Sequence, residues 1–304
     1  GKGNFTNVIG KKAFKLEEIG MITDAIWEDI DNDGKKDLIV VGDWMTPTIF
    51  KNTGRRLAEF QSNLTNYPGF WNTVSCVDLN NDGKKDLILG NKGTNTPYKA
   101  TATNPMKMFV NDFDANGTIE QITTRTIDGK DIPVHLKSEL AKQIPMIKKK
   151  NISYEEYSKK SFQELFPKEI INNSIQKIAN TQESIIAINT GNGKFEVKLL
   201  PKEVQFSCVN TISTLDVNND GILDIILGGN QYEFKPQFGR LDANYGSVLL
   251  GNKNGTYTWT PYAKSGFYMK GEVKHIQKIK NKNNTVSIIA VINDATPKIF
   301  KINE

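Results

Sequence analysis

Along most of this chain, apolar residues come in short blocks or alternate with polar ones, the period of a β-strand. Residues 24–28, 37–41, 48–51 and 57–60 are four such blocks, separated by turn-forming clusters rich in Asp, Asn and Gly. Strands this close in sequence pair antiparallel. Apolar residues on both sides of the middle blocks predict a sheet covered on both faces. The period changes once, from about 136 to 178, where apolar residues recur nearly every four positions. Ser153, Tyr154, Glu155 and Glu156 read as a capping box, opening a helix that runs toward Phe166. Pro167 suits the first position of a second helix carrying Ile170, Ile171, Ile175 and Ile178. Strand pattern resumes at 184–189, with a turn at Gly191, Asn192 and Gly193. The last segment, 274–303, keeps strand patterning but ends one strand early. The opening residues 3–8 are expected to supply the missing strand and so hide two sheet edges. The expectation is an all-β chain of four-stranded units with one short helical insertion.

One turn sequence repeats. Asp29, Asp31, Asp33, Lys35 and Asp37 occupy positions 1, 3, 5, 7 and 9 of the first copy, with Gly34 at position 6. Asp78, Asn80, Asp82, Lys84 and Asp86 do so around Gly83, and Asp216, Asn218, Asp220, Ile222 and Asp224 around Gly221. A weaker copy is Asp112, Asp114, Asn116, Thr118 and Glu120 around Gly117. Side-chain oxygens at 1, 3, 5 and 9 and the carbonyl at 7 converge inside one tight turn, and the glycine permits the positive φ that reverses the chain. A hard cation with six to eight oxygen ligands in flexible geometry, Ca²⁺ rather than Mg²⁺, suits such a loop. The EF-hand opens the same way but needs Glu at position 12 and flanking helices. Here position 12 is Val40, Leu89 or Leu227, and the flanks are strand-like. A cluster of Asp, Asn and Gly is also an ordinary hairpin turn. Three near-identical copies, each with a carboxylate opening an apolar strand at position 9, favour the cation.

On these loops the chain resembles the FG-GAP/VCBS repeat family, whose calcium-loop propeller repeats also occur in integrin α heads. It is more closely similar to the bacterial repeat proteins grouped with cartilage acidic protein and UnbV-type sequences. The resemblance implies a single β-propeller domain over 1–304, with about five four-stranded blades. It also implies bound calcium and an extracellular or cell-surface place, on the outer surface of a bacterium. It says little about what is bound. The copies begin at residues 29, 78, 112 and 216. The second interval is too short for a blade and the third too long. Either Asp112 opens its own blade and the second blade is truncated, or its loop joins the two outer strands of the second blade.

Composition narrows the classes. The 39 Lys and Arg against 34 Asp and Glu leave a net charge of +5. The lysines are scattered, and the densest run is Lys148, Lys149 and Lys150, so no basic stripe for nucleic acid is formed. No apolar run is long enough to span a bilayer. Two cysteines make no disulfide framework, and Cys76 and Cys208 read as small buried hydrophobes. The chain lacks an initial Met, and its first residues resemble the end of a repeat, so a piece of a longer surface protein is expected.

A ligand is expected on the loops that follow each strand leaving a calcium turn. Trp44, Tyr98, Tyr232, Arg240, Asp242 and Tyr245, with Phe234 and Phe238, could build a glycan or peptide platform by stacking and hydrogen bonding. The same aromatics could simply seat the loops on the sheets. His135 and His275 have no catalytic partner in the sequence, and no G-x-S-x-G, P-loop or H-E-x-x-H motif occurs. The reading is a non-catalytic, calcium-stabilised binding module. A polysaccharide lyase or hydrolase on the same scaffold, and a purely architectural domain, are the alternatives.

Overall fold

In the computed structural model, which describes residues 3–234, 239–283 and 285–302, the first Asp-rich turn joins β1 (Met21–Glu28) to β2 (Asp37–Met45). β3 (Thr48–Asn52) and β4 (Leu57–Phe60) complete an antiparallel sheet in the order β1-β2-β3-β4. The short β5 (Gly69–Phe70) pairs with Asp43 and Met45 of β2. Alternate residues of β2 face opposite ways, as the two-residue period requires. Ile39 and Val41 enter a buried cluster with Trp71, Leu87 and Ile185. Leu38 and Val40 enter another with Phe50, against which Leu16, Ile19 and Leu57 pack.

The second sheet is built from two distant stretches. β6 (Thr73–Val77) and β7 (Asp86–Gly90) begin it. The chain then leaves for residues Tyr98–Gln182, a compact unit of its own. That unit holds β8 (Met106–Asn111), β9 (Glu120–Ile127), β10 (Lys130–Pro133) and β11 (Ile175–Ala179), in the order β10-β9-β8-β11. Short helices Lys137–Gln143, Met146–Lys150, Tyr154–Ser158, Phe162–Leu165 and Lys168–Asn172 lie between the last two strands. Phe109, Phe113 and Ile122 of the sheet side pack on Leu140, Ile144, Phe162 and Phe166 of the helices. Phe162 stacks on Phe109 with centroids 4.1 Å apart. Afterwards β12 (Ile185–Gly191) and β13 (Lys194–Leu199) return to finish the second sheet as β13-β12-β7-β6.

The Asp112 loop lies in a four-stranded sheet of its own, as the first expected arrangement has it, but the second sheet is not truncated and the loop does not join its outer strands. The second sheet is complete but interrupted, and the loop joins β8 to β9 inside the inserted unit. The insertion is also wider than 136–178 and carries a sheet. Its helices are shorter than the periodicity suggested. The helix capped by Ser153, whose hydroxyl accepts from Glu156 N at 3.0 Å, stops at Ser158. Ser161 then starts another, its N–H donating to Glu164 Oε2 at 2.8 Å. Pro167 is the N-cap of the next helix rather than its first residue. Ile175 and Ile178 are strand residues, paired with Val110 and Lys107. A free sheet edge at β8 outcompeted a continued helix.

The remaining unit comprises Gly1–Pro97 and Glu183–Glu304. Its third sheet is β14 (Val209–Leu215), β15 (Asp224–Gly229), β16 (Ser247–Gly251) and β17 (Tyr257–Thr260), in sequence order. Its fourth is the three-stranded β18 (Val273–Lys280), β19 (Val286–Ile292) and β20 (Lys298–Lys301). Ile88 and Ile186 meet Val209, Ile225 and Leu227 in one cluster, while Ile226 and Val248 meet Ile276 and Ile288 in the next. Successive sheets of this unit are thus packed face to face. Residues 3–8 form no strand. Asn7 Oδ1 accepts from Ile9 N at 3.0 Å and turns the chain into the helical turn Ile9–Lys12, leaving Phe5 99% exposed. A short Asn side chain offers the backbone a local alternative to sheet pairing. Among the described residues there are five antiparallel sheets, none closed into a barrel, and no helix long and apolar enough to cross a membrane.

Candidate functional site

All four Asp-rich loops share one backbone path. The glycine at position 6 has φ between 82° and 87° in every copy. The residue at position 4 is also left-handed, with φ of 57–58° at Asn32, Asn81, Ala115 and Asn219. Asn tolerates that region better than most residues, and three of the four copies use it. The carboxylate at position 1 ties the turn to itself. Asp29 accepts from Asp33 N at 3.0 Å and Gly34 N at 2.8 Å. Asp78, Asp112 and Asp216 make the same two contacts in their own loops. The side chain at position 5 accepts from the N–H at position 7: Asp33 from Lys35, Asp82 from Lys84, Asn116 from Thr118 and Asp220 from Ile222, at 2.7–2.9 Å.

Position 9 anchors each loop to its sheet. Asp37, Asp86 and Asp224 are fully buried. One oxygen of each accepts from position 2, at Ile30, Leu79 or Val217. The other accepts from a neighbouring strand, at Asn52, Asn189 or Gly251, at 2.7–2.8 Å. Glu120 keeps the first contact, to Phe113 N at 3.0 Å. Burial pushes the carboxyls of Asp37, Asp86 and Asp224 above the usual range, with those backbone hydrogen bonds pulling the other way. Asp33 and Asp82 sit below it. The Lys35 N–H is the largest cause at Asp33, and the Lys84 ammonium at Asp82.

Two loops bring three carboxylates together. Ligand atoms of Asp29, Asp31 and Asp37 lie within 4.8 Å of one another, as do those of Asp112, Asp114 and Glu120. Carboxylates at such a distance repel by about 1–3.5 kcal/mol per pair, depending on solvent access. In each trio the oxygen at position 3, Asp31 Oδ1 or Asp114 Oδ1, is buried without a hydrogen-bond partner. A buried, unpartnered oxygen beside two other carboxylates is the donor set of a hard cation, so these residues fit Ca²⁺. In the second and fourth copies position 3 is an amide. Asn80 and Asn218 there accept from the N–H of Asp82 and Asp220 at 3.1 and 3.2 Å. Asp33 does not join its trio: its second oxygen meets Lys35 at 3.2 Å and Lys51 at 3.3 Å. Lys51 also pairs with Asp31. No motif in the sequence pointed to that lysine.

The expected ligand-loop residues fall into separate groups. Trp44, at φ 58°, meets Phe70 edge-on at 4.8 Å, and Lys92 lies over the same Phe70 ring. Arg240 lies over Tyr232 at 4.7 Å. Tyr245 stacks on Tyr268 and meets Tyr262, which touches Trp259 edge-on. Those last three partners were not anticipated, because they come from a segment with no special composition. Asp242 is exposed. Tyr98 belongs to the inserted unit, where its carbonyl accepts from Gln182 Nε2 at 2.6 Å. Phe238 lies outside the described residues. His135 Nε2 accepts from Thr123 N at 3.2 Å, and His275 lies 3.3 Å from Gln277 Oε1 on the surface.

Residues 29–89, which hold the first two loops, match the family described as FG-GAP-like repeat. No curated protein matches the sequence. Among solved structures, that of the Vibrio cholerae biofilm matrix protein Bap1 is similar over 92% of this chain and 62% of its own, at 9% identity and a TM-score of 0.30. The chain therefore spans less than two thirds of that protein. BBS1N, crystallised in complex with ARL6DN, is similar over 93% of this chain and 79% of its own, at 10% identity and a TM-score of 0.23. Likenesses of this size carry no argument about function.

Proposed function

We propose that this chain, which carries an FG-GAP-like repeat at residues 29–89, is a calcium-stabilised, non-catalytic binding module of an extracellular or cell-surface protein. The observation that carries the reading is the unpartnered, buried oxygen of Asp31 and of Asp114, each inside a three-carboxylate cluster at the same loop position. Positions 1, 3, 5 and 9 of each loop and the carbonyls of Lys35, Lys84, Thr118 and Ile222 are the assigned ligands. Asp33 and Asp82 must exchange their lysine partners for the ion. The first and Asp112 loops, with three acidic ligands assembled, are the better formed sites. The repeated antiparallel sheets with Asp-rich turns support reading the sheets as propeller blades. The ions then serve as staples, relieving carboxylate repulsion in turns that join consecutive strands.

The ligand is a glycan, peptide or protein surface. The Tyr245, Tyr262 and Tyr268 group and the Arg240–Tyr232 pair support a platform that stacks on a sugar or a side chain. Metal analysis of the purified protein and thermal melts in calcium and in excess chelator test the calcium assignment. Extracellular modules bind at about 10⁻⁴–10⁻³ M, so about 1 mM calcium contributes roughly 0.4–1.4 kcal/mol per site. Three to four ions and a chelation-induced fall of roughly 2–9 °C are expected. Metal-free protein with an unchanged melt in millimolar calcium would sink the assignment.

A further inference from the structure

The sheet register makes Lys51 an exception. In the first sheet Leu38 pairs with Phe50, in the second Leu87 with Ala187, and in the third Ile225 with Leu249. The next residue along each partner strand is therefore equivalent: Lys51, Ile188 and Leu250. The one after donates its N–H to the buried Asp at position 9 in all three cases. Two of the three sheets keep an aliphatic side chain at this place. The first places an ammonium there, against Asp31 and Asp33.

Lys51 also lines a cavity of about 670 Å³ within the larger unit. Its other walls include Asp31, Gln61, Lys84, Phe60 and Phe195. Lys84 reaches back to Asp82 of the second loop at 2.9 Å. Both cavity lysines thus end on loop carboxylates that a loaded loop would need for itself.

We propose that this cavity is an anion site opened by calcium. It takes a carboxylate or sulfate group, such as an acidic sugar carries, and Lys51 is the internal cation that holds the first loop in its unloaded form. The proposal rests on the calcium assignment above. In the unloaded loops both ammonium groups are neutralised by Asp31, Asp33 and Asp82. Once those carboxylates turn to an ion, Lys51 and Lys84 keep their charge beside a cavity with no other assigned counter-ion, and a bound oxyanion supplies it. Coupling of this kind is reciprocal, so the anion must in turn strengthen calcium binding.

The test is an amide NMR titration of the full chain with sodium glucuronate, with sodium sulfate and with glucose, at matched ionic strength, in calcium and in chelator. In calcium, glucuronate or sulfate is expected to shift the amides of Asn32, Gln61 and Asn192 and to bind at least about fivefold more tightly than in chelator. Glucose should not. Whichever anion binds more tightly names the source of the group. Lys51→Met and Lys84→Met should each remove the anion response while leaving calcium shifts at residues 112–120 and 216–224. Equal anion binding with and without calcium, shifts elsewhere, or an unchanged response in Lys51→Met overturns the proposal while the calcium reading stands. Absence of calcium shifts in all four loops overturns both.

Discussion

The main-chain N–H of Asn189 donates to Asp86 Oδ1 at 2.8 Å, across 103 residues of sequence. Asp86 also accepts from Leu79 N at 2.8 Å, so one buried carboxylate joins the start of its own loop to a strand encoded beyond the inserted unit. Asp86→Ala strands two donors. At about 1–3 kcal/mol for each unsatisfied buried group, the loss should be about 2–6 kcal/mol in urea unfolding. A change below about 1 kcal/mol would show that water satisfies both donors and that position 9 is not the anchor described.

The inserted unit should be removable. Gln182 Nε2 donates to the carbonyl of Tyr98 at 2.6 Å, and Ala100 N donates to Gln182 Oε1 at 2.9 Å, so its two ends lie together. Replacing residues 99–181 by a short Gly-Ser linker is expected to leave a cooperatively folding protein that binds one calcium ion fewer. Circular dichroism melts and metal analysis read both. A chain that no longer unfolds cooperatively would mean the larger unit depends on the insertion.

Carboxyl titrations followed by ¹³C NMR in calcium-free protein should separate the loop acids. Asp37, Asp86 and Asp224 are expected above the unfolded value near 3.9, and Asp33 and Asp82 below it. The consequences for stability have opposite signs. The three raised acids favour folding most below about pH 3.9, and that contribution is lost as pH rises through their native values. Asp33 and Asp82 favour folding above that pH, and theirs is lost as pH falls through their lowered values. Calcium should draw the Asp37 titration downward. An Asp86 carboxyl titrating below the ordinary range would show that its hydrogen bonds, not its burial, dominate.

Both cysteines should be silent in the native state. Burial pushes the Cys76 and Cys208 thiols up to about 12, far from a reactive thiolate at neutral pH. A chromogenic disulfide reagent at pH 8 is expected to label neither until denaturant is added, and then both. Rapid labelling of Cys76, the less buried of the two, would reveal local opening of β6.

The strands of the first sheet were legible because turn-forming residues separate the apolar blocks, although β1 starts earlier, at Met21, and β2 runs on to Met45, past the expected 24–28 and 37–41. The four loops were legible for the same reason: their residue types at fixed spacing admit few backbone paths. The pairing of β7 with β12 was not, since nothing local distinguishes Ile185 from any other strand residue awaiting a partner. Ile175 and Ile178 carried a helical period but obeyed an available sheet edge. Lys51 escaped notice because a lysine near the end of a strand is commonplace, and only the register places it against Asp31. The aromatic group around Tyr245 is likewise assembled by tertiary packing from residues scattered over the segment 245–268.

The interrupted second sheet also sets a schedule. On the ribosome β6 and β7 emerge with the partner edge of β7 bare, and β12 follows only after about 100 more residues, roughly 5–20 s at usual synthesis rates. For that interval the strand of Leu87, Ile88 and Leu89 is paired with β6 along one edge only, and the bare edge is a template for any other extended chain. The nascent protein is therefore most vulnerable to a chaperone's absence midway through its making, and the charged Lys84 and Lys85 just ahead of that strand stand where a gatekeeper is most useful.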